Sequence, residues 1–328
     1  MENVKSVKID AHNYPSFLRY YHQFTNLQEL DISDMNLDAL PPASLPPTLV
    51  KLNCALNKIT QLPTPLPATL QILHAFNNHL NTVPATWPAA LQQLDLGQNR
   101  LTSEALETTT FPPNVQILCL GHNQLTTVPR LQHLGRLQRL NVSHNAIRVL
   151  VRQHLPANLQ FLSCSHNQIE HATAAFPAGL RYLYASHNQL TALPLPLPPQ
   201  LVELEVQHNR LATLGDAALP PHVKYFWCHD NQLETLPLLP DSVQNIHSLN
   251  NPLLHPALLL RGGHLEEVKR LNEYIYMHLA KQRMQRNDFR WYLLFNSANF
   301  CMHPNKIEKL IQMNILSFTD NSFSQLTD

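Results

Sequence analysis

The sequence is poor in glycine, in charged residues and in long apolar runs. It has 7 glycines among 328 residues, where an average usage of about 7% would give roughly 23. Charged residues make up 14%, and 23 basic residues balance 23 acidic ones, so the formal net charge is zero. Because nucleic acids and anionic membranes attract proteins through an excess of lysine and arginine, the composition argues against both as partners.

The sequence also lacks the features that direct a chain into or across a membrane. No stretch of 18 apolar residues occurs, which predicts no membrane span. No apolar run follows the first residues, which predicts no Sec-type signal peptide. The cysteines are odd in number and widely spaced, and we interpret them as free thiols in a reducing compartment: Cys54, Cys119, Cys164, Cys228 and Cys301.

Proline, in contrast, is abundant. The chain has 26 prolines, where a usage of about 5% would give roughly 16. Hydrophobic residues reach 44%, which is enough to bury a core, so the prolines do not indicate disorder. Many of them fall in short segments such as 62–67 and 193–199. Their regular placement indicates a repeating structure.

The repeat has the pattern L-x-x-L-x-L-x-x-N-x-L and extends from Leu27 to Leu253. A degenerate first copy has Met35 where asparagine is expected, and it brings the number of units to eleven. The asparagines of the other ten units are spaced 20–24 residues apart and are Asn57, Asn78, Asn99, Asn123, Asn145, Asn167, Asn188, Asn209, Asn231 and Asn251.

This pattern resembles the leucine-rich repeat, and it predicts an α/β-type solenoid with a parallel concave β-sheet. In each unit the leucines of a short strand point inward and the intervening residues point outward. The asparagine side chain is both a donor and an acceptor, so it can satisfy the turn after each strand. Prolines cannot donate to a strand ladder, and we expect them on an extended, polyproline II convex side. With proline and asparagine setting the turns, we expect few turns to need a positive φ.

The ends of a solenoid expose apolar surface and need caps. Residues 1–26 predict a short helical N-terminal cap, and residues 27–253 form the predicted solenoid. Apolar residues at helical spacing predict a helical C-terminal cap over residues 254–318. The polar tail 319–328 has Leu326 at the third position from its end, which resembles type IVB translocation signals.

The short, proline-rich unit resembles the repeats of bacterial virulence effectors of the YopM and IpaH group, and of Legionella effectors delivered by the type IVB system. The resemblance implies secretion without a Sec signal into the host cell cytosol, or otherwise a cytoplasmic protein, and binding to a host protein or another bacterial effector. IpaH proteins carry a ubiquitin-ligase domain with a catalytic cysteine. Here only Cys301 follows the repeats, and nothing resembles the ligase motif.

We therefore predict a monomeric protein-binding module that is not an enzyme. Two alternatives stay open. One is a ubiquitin-ligase-like or other enzyme activity in the C-terminal region. The other is a eukaryotic-type cytosolic leucine-rich repeat scaffold, although such repeats are usually longer and less rich in proline.

Units seven to ten are those that contain Asn167, Asn188, Asn209 and Asn231. Their outward-facing strand positions are rich in aromatic residues, with two glutamates between them. Tyrosine and tryptophan dominate the energetics of protein interfaces, and the glutamates suggest a basic element on the partner. We predict protein binding by a set of residues that we name the predicted binding surface: Phe161, Tyr182, Tyr184, Glu203, Glu205, Tyr225, Trp227 and His229.

Five histidines directly precede a repeat asparagine and are expected to stack in one row: His122, His144, His166, His187 and His208. A flat row spaced about 5 Å apart does not converge as a tetrahedral metal site requires, so we predict no metal and no other cofactor. Charging neighbouring rings together is unfavourable, so we expect partner binding or thermal stability to weaken between about pH 7 and 5.5. Cys119 faces outward with no group to activate it, and we predict no catalytic residue.

Overall fold

Twelve short parallel strands form one continuous sheet in the computed structural model, which describes residues 4–40, 45–214, 219–253 and Lys269. Apart from Lys269, the predicted C-terminal cap and tail lie outside these residues. In spatial order the strands are β1 (Ser6–Lys8), β2 (Glu29–Asp31), β3 (Lys51–Asn53), β4 (Ile72–His74), β5 (Gln93–Asp95), β6 (Ile117–Cys119), β7 (Arg139–Asn141), β9 (Phe161–Ser163), β11 (Tyr182–Tyr184), β12 (Glu203–Glu205), β13 (Tyr225–Trp227) and β14 (Asn245–His247).

Most of these strands alternate in the way that the sequence pattern predicts. In β11, Leu183 is 0% exposed, whereas Tyr182 and Tyr184 on either side are partly exposed. Neighbouring strands pair in register without a shift, so that equivalent leucines stack on one face. The buried leucines therefore form one continuous core behind the sheet, and the intervening side chains form its concave face.

The N-terminal end combines a strand with a helix. The sequence predicts only a helix there, and α1 (Tyr14–Tyr20) is followed by a 3₁₀ turn at Tyr21–Gln23. Strand β1 pairs in parallel with β2 and extends the sheet beyond the first repeat. It has three residues and none of the repeat pattern, so the sequence pattern does not predict it. Phe17 of α1 is buried and packs 5.8 Å from the ring of Phe24, so this end of the core is covered by aromatic side chains.

Prolines form the turn that leads into most strands. In these turns a proline carbonyl accepts a hydrogen bond from the N–H three residues later, as from Leu70 to Pro67 and from Leu201 to Pro198, both at 3.1 Å. A proline at the first turn position uses only its carbonyl, so its missing N–H leaves no group unsatisfied. This gives these prolines a structural role at the start of most strands.

The asparagine of each repeat joins two consecutive coils. The Nδ2 group of Asn99 donates to the carbonyls of Leu96 and Gly97 in its own unit, each at 3.0 Å. It also donates to Ala75 of the preceding unit at 3.0 Å, and its Oδ1 accepts from the Leu80 N–H at 3.0 Å. Because Asn99 is buried, these bonds satisfy backbone groups that water does not reach.

The residue before each repeat asparagine, and before Met35 in the first unit, adopts a left-handed conformation, so the expectation of few positive-φ turns is wrong. Its φ lies between 49° and 58° at Asp34, Leu56, Asn77, Gln98, His122, His144, His166, His187, His208, Asp230 and Asn250. Histidine, asparagine and aspartate enter this region more readily than most other residues. Every unit therefore makes its left-handed turn without glycine, which explains how the chain has so few.

Regular structure outside the main sheet is short. Strands β8 (Val149–Leu150) and β10 (His171–Ala172) pair in parallel, and a 3₁₀ turn covers Arg152–His154. Helix α2 (Ser103–Glu107) begins after Thr102, whose hydroxyl accepts from the Ala105 N–H at 3.3 Å. It lies between asparagines 24 residues apart, the widest spacing in the chain, which leaves room for a helical turn. Among the described residues no helix has the length and apolar character to cross a bilayer.

Candidate functional site

The structure brings the predicted binding surface together on four adjacent strands. Equivalent positions at the strand starts form one row, which contains Phe161, Tyr182, Glu203 and Tyr225. Equivalent positions at the strand ends form a second row, which contains Ser163, Tyr184, Glu205 and Trp227. His229 follows two residues after Trp227. The eight predicted residues are therefore spatial neighbours, although 68 positions separate the first from the last in sequence.

The aromatic rings of this surface already contact one another. The ring of Phe161 lies 5.2 Å from that of Tyr184 in an edge-to-face arrangement, and 6.3 Å from that of Tyr182. The guanidinium carbon of Arg139 lies 4.7 Å from the centroid of the Phe161 ring, a cation–π distance. These contacts restrict the rings before any partner arrives, which reduces the entropy lost on binding.

Negative charge separates the aromatic side chains. Glu205 lies in register between Tyr184 and Trp227. Burial raises the pKa of Tyr184, and the carboxylates of Glu203 and Glu205 raise it further, so its hydroxyl stays protonated. Burial also raises the pKa of Glu205, although a hydrogen bond with Gln207 partly opposes this. The surface therefore holds one partly desolvated carboxylate, that of Glu205, which a cationic group on a partner would stabilise.

Four buried side-chain atoms in this region have no hydrogen-bond partner within the part of the chain that the structure describes. They are Gln207 Oε1, Trp227 Nε1, His229 Nδ1 and Asn245 Oδ1. All four belong to the concave side of the last three units. A buried polar atom without a partner is unfavourable by about 1–3 kcal/mol. Their clustering marks a part of the concave side where buried polar groups have no partner among the described residues.

Two of these residues, Gln207 and Asn245, are absent from the predicted binding surface. Each occupies an outward-facing position of the repeat: Gln207 lies two residues before Asn209, and Asn245 lies six residues before Asn251. Counting back from the repeat asparagine therefore predicts that both side chains point outward. Amides are common at exposed positions, however, and only the structure shows that Oε1 of Gln207 and Oδ1 of Asn245 are buried with no partner in the described part of the chain.

The five histidines stack more closely than strand spacing predicts. Their ring centroids lie 3.8 Å apart for His122 and His144, and 4.1 Å apart for each following pair as far as His208. The left-handed turn places these rings in a row along the edge of the concave face. Burial lowers the pKa of His144 and His166, and neighbouring imidazoles, His122 first among them, lower it further.

We expect the melting temperature to be lower at about pH 5.5 than at about pH 7. Below the usual histidine pKa of about 6.5, the unfolded chain binds protons that folded His144 and His166 resist, so stability decreases as pH falls. Thermal melts in EDTA across this range check the prediction. The double variant His144→Gln, His166→Gln should show a weaker pH dependence, and an equal dependence in both proteins would contradict the assignment.

The cysteines are placed as small apolar residues. Cys54, Cys164 and Cys228 are buried in the core. Burial raises the pKa of the partly buried Cys119 to about 11, and Asp95 adds to the shift. The Cys119 thiol is therefore protonated at neutral pH, unlike an activated nucleophile. Cys301 lies outside the described residues.

The register, the inward leucines and the asparagine bonds together define a leucine-rich repeat solenoid, as the sequence predicts. Residues 89–147 match the family described as Leucine rich repeat. No curated protein sequence matches the chain. The fold is generally a protein-interaction scaffold.

Among solved structures, the chain is similar to YopM, a leucine-rich effector protein from Yersinia pestis, with 27% identity, a TM-score of 0.57, and coverage of 73% of this chain and 76% of that one. YopM from Yersinia enterocolitica WA-314 is 30% identical with a TM-score of 0.47, and the match covers 70% of this chain and 61% of that one. An internalin from Listeria monocytogenes shares the fold at 22% identity, with a TM-score of 0.56, and the match covers 66% of this chain and 64% of that one.

Proposed function

We propose that this protein is a bacterial effector that binds a protein partner inside a host cell through its concave face. The observation that carries the proposal is the set of partly exposed aromatic rings on adjacent strands, beside polar atoms of Gln207, Trp227, His229 and Asn245 that have no partner among the described residues. Tyrosine and tryptophan are the residue types that anchor interfaces. These atoms are buried as the structure places them, so a partner reaches them only if their side chains change rotamer on binding, and hydrogen bonds formed in that way would remove the penalty of leaving them unsatisfied.

The chemistry of the surface favours a partner segment with a cationic group. Glu203 and Glu205 lie between aromatic neighbours, and the carboxylate of Glu205 is partly buried. Charge-assisted hydrogen bonds to a desolvated carboxylate are stronger than neutral ones. We infer that lysine or arginine from the partner contacts these two glutamates, while apolar parts of the partner pack on Tyr184 and Trp227.

The effector role is supported by the likeness to YopM of Yersinia pestis, a leucine-rich effector protein that is 27% identical over 73% of this chain. The partner in this proposal is a host protein or another bacterial effector. Delivery by a type IVB system rests on the polar tail 319–328, which lies outside the described residues. A translocation reporter fused to the full chain, compared with the same fusion lacking this tail, tests the delivery route separately from binding.

We expect the double variant Tyr184→Ala, Trp227→Ala to lose partner capture while its fold is retained. Removing two interface anchors weakens binding by about 100-fold or more. The measurement is a pull-down from host lysate with mass spectrometry, followed by titration of the identified protein. Tyr20→Ala is the matched control because Tyr20 is an exposed aromatic residue on α1, away from the concave face. Unchanged affinity in the double variant would place the interface elsewhere.

A further inference from the structure

The histidine row ends in an acidic residue. Asp230 occupies the turn position that the preceding units fill with histidine, and its φ of 54° matches that of His208. The residue directly before Asp230 is a further histidine, His229, and its ring lies 5.2 Å from that of His208. Two imidazoles and one carboxylate from consecutive units therefore meet at this point of the solenoid.

The coordinating atoms of the three side chains converge. Asp230 Oδ2 lies 3.5 Å from His208 Nδ1 and 3.8 Å from His229 Nε2. One ligand atom from each residue lies within 4.8 Å of the others. A tetrahedral zinc ion with bonds of about 2.0–2.1 Å needs ligand atoms about 3.3 Å apart. The distances from Asp230 Oδ2 to the two imidazole nitrogens, 3.5 and 3.8 Å, are close to that spacing.

Ring orientation separates this cluster from the rest of the row. The rings of His187 and His208 are stacked, with an interplanar angle of 21°, and the three pairs before them have angles of 10–12°. Because imidazole lone pairs lie in the ring plane, nearly parallel rings direct them in parallel and not toward one point. The rings of His208 and His229 meet at 79°, and crossed planes allow their lone pairs to converge.

The carboxylate is held in place by a neighbouring side chain. Asn250, the next residue along the row, donates from Nδ2 to Asp230 Oδ1 at 2.7 Å. This bond leaves Oδ2 directed at the two histidines. Hydrogen bonds of this kind, from outside the coordination sphere, orient metal-ligating carboxylates in known sites.

We propose that His208, His229 and Asp230 form a zinc-binding site at the edge of the concave face. Two histidines and one carboxylate are a ligand set that zinc accepts, with a fourth position open to water. The row of five histidines alone predicts no metal, because its rings do not converge. The site arises from His229 and Asp230, which do not belong to that row of five.

The test is a Zn²⁺ titration of the full chain after EDTA treatment, in competition with a chromophoric chelator. We expect one Zn²⁺ equivalent in the wild type that binds about tenfold or more weakly in His229→Gln and in Asp230→Asn. The matched control is His144→Gln, a change in the stacked row away from the cluster, which should leave this affinity unchanged. Substitution with Co²⁺ gives a second measurement, since four-coordinate Co²⁺ absorbs strongly in the visible range and Asp230→Asn should lose that absorption.

Asp230→Asn should fold, because asparagine already adopts the same left-handed conformation at Asn77 and Asn250. Melting curves in EDTA for each variant check this. The proposal is wrong if Asp230→Asn keeps wild-type Zn²⁺ affinity. It is also wrong if His144→Gln weakens binding as much as His229→Gln does, because that result would assign the metal to the exposed histidine row as a whole.

Discussion

Replacing Asn167 with alanine is expected to lower the free energy of unfolding by about 3 kcal/mol or more. Its Nδ2 group donates to the carbonyls of Val142 and Cys164, each at 3.0 Å, and to that of Ser165 at 3.2 Å. Its Oδ1 accepts from the Ile147 N–H at 3.0 Å. Alanine removes all four bonds in a buried environment, and each unsatisfied group is unfavourable by about 1–3 kcal/mol.

Urea denaturation monitored by circular dichroism measures this effect. Asn158→Ala is the control, since Asn158 is exposed and makes one hydrogen bond, to the Gly135 carbonyl at 2.8 Å. We expect the control to lose about 1 kcal/mol or less. An equal decrease in the free energy of unfolding in the two variants would show that the buried repeat asparagine stabilises the protein no more than an exposed asparagine does.

Phe226→Ala is expected to destabilise the protein by about 3–5 kcal/mol. Phe226 is 0% exposed and is the largest fully buried side chain among the described residues. In register it lies between Leu204 and Ile246, so alanine leaves a cavity that neighbours on both sides must fill. A solenoid unit contacts only the units beside it, so the damage should concentrate in units nine to eleven.

The adjacent residue on the same strand provides the matched control. Tyr225 is an aromatic residue one position away, but it points to the concave face and is 37% exposed. Tyr225→Ala should change stability by about 1 kcal/mol or less, because it creates no cavity. Hydrogen exchange of the backbone amides locates any loss of protection along the chain. A larger loss for Tyr225→Ala than for Phe226→Ala would reverse the assignment of inward and outward positions.

The repeat made most of the fold predictable. Spacing of leucines and asparagines locates each strand, because inward and outward positions alternate along it and the asparagine marks where its turn closes. Strand β1 could not be found this way, since Ser6–Lys8 carries no repeat pattern and is recognisable only by its pairing with β2. The scarcity of glycine predicts few left-handed turns, whereas His122 and its equivalents adopt positive φ at those positions.

The candidate site was predictable in outline only. Counting back from each asparagine identifies the aromatic residues and glutamates that face outward. The same count cannot show that Arg139 lies over the ring of Phe161, since that contact depends on side-chain rotamers. It also cannot show the angle between the rings of His208 and His229, which decides whether their nitrogens converge.

The shortness of the strands has a geometric consequence for anything that binds the concave face. Each strand of the main sheet has three residues, such as Phe161–Ser163, and at about 3.3 Å per residue the sheet is roughly 10 Å wide. Twelve strands at about 4.8 Å spacing make it roughly 50 Å long. The concave face is therefore a narrow strip about five times longer than it is wide. A partner gains contact area mainly by extending along the strip, from one coil to the next.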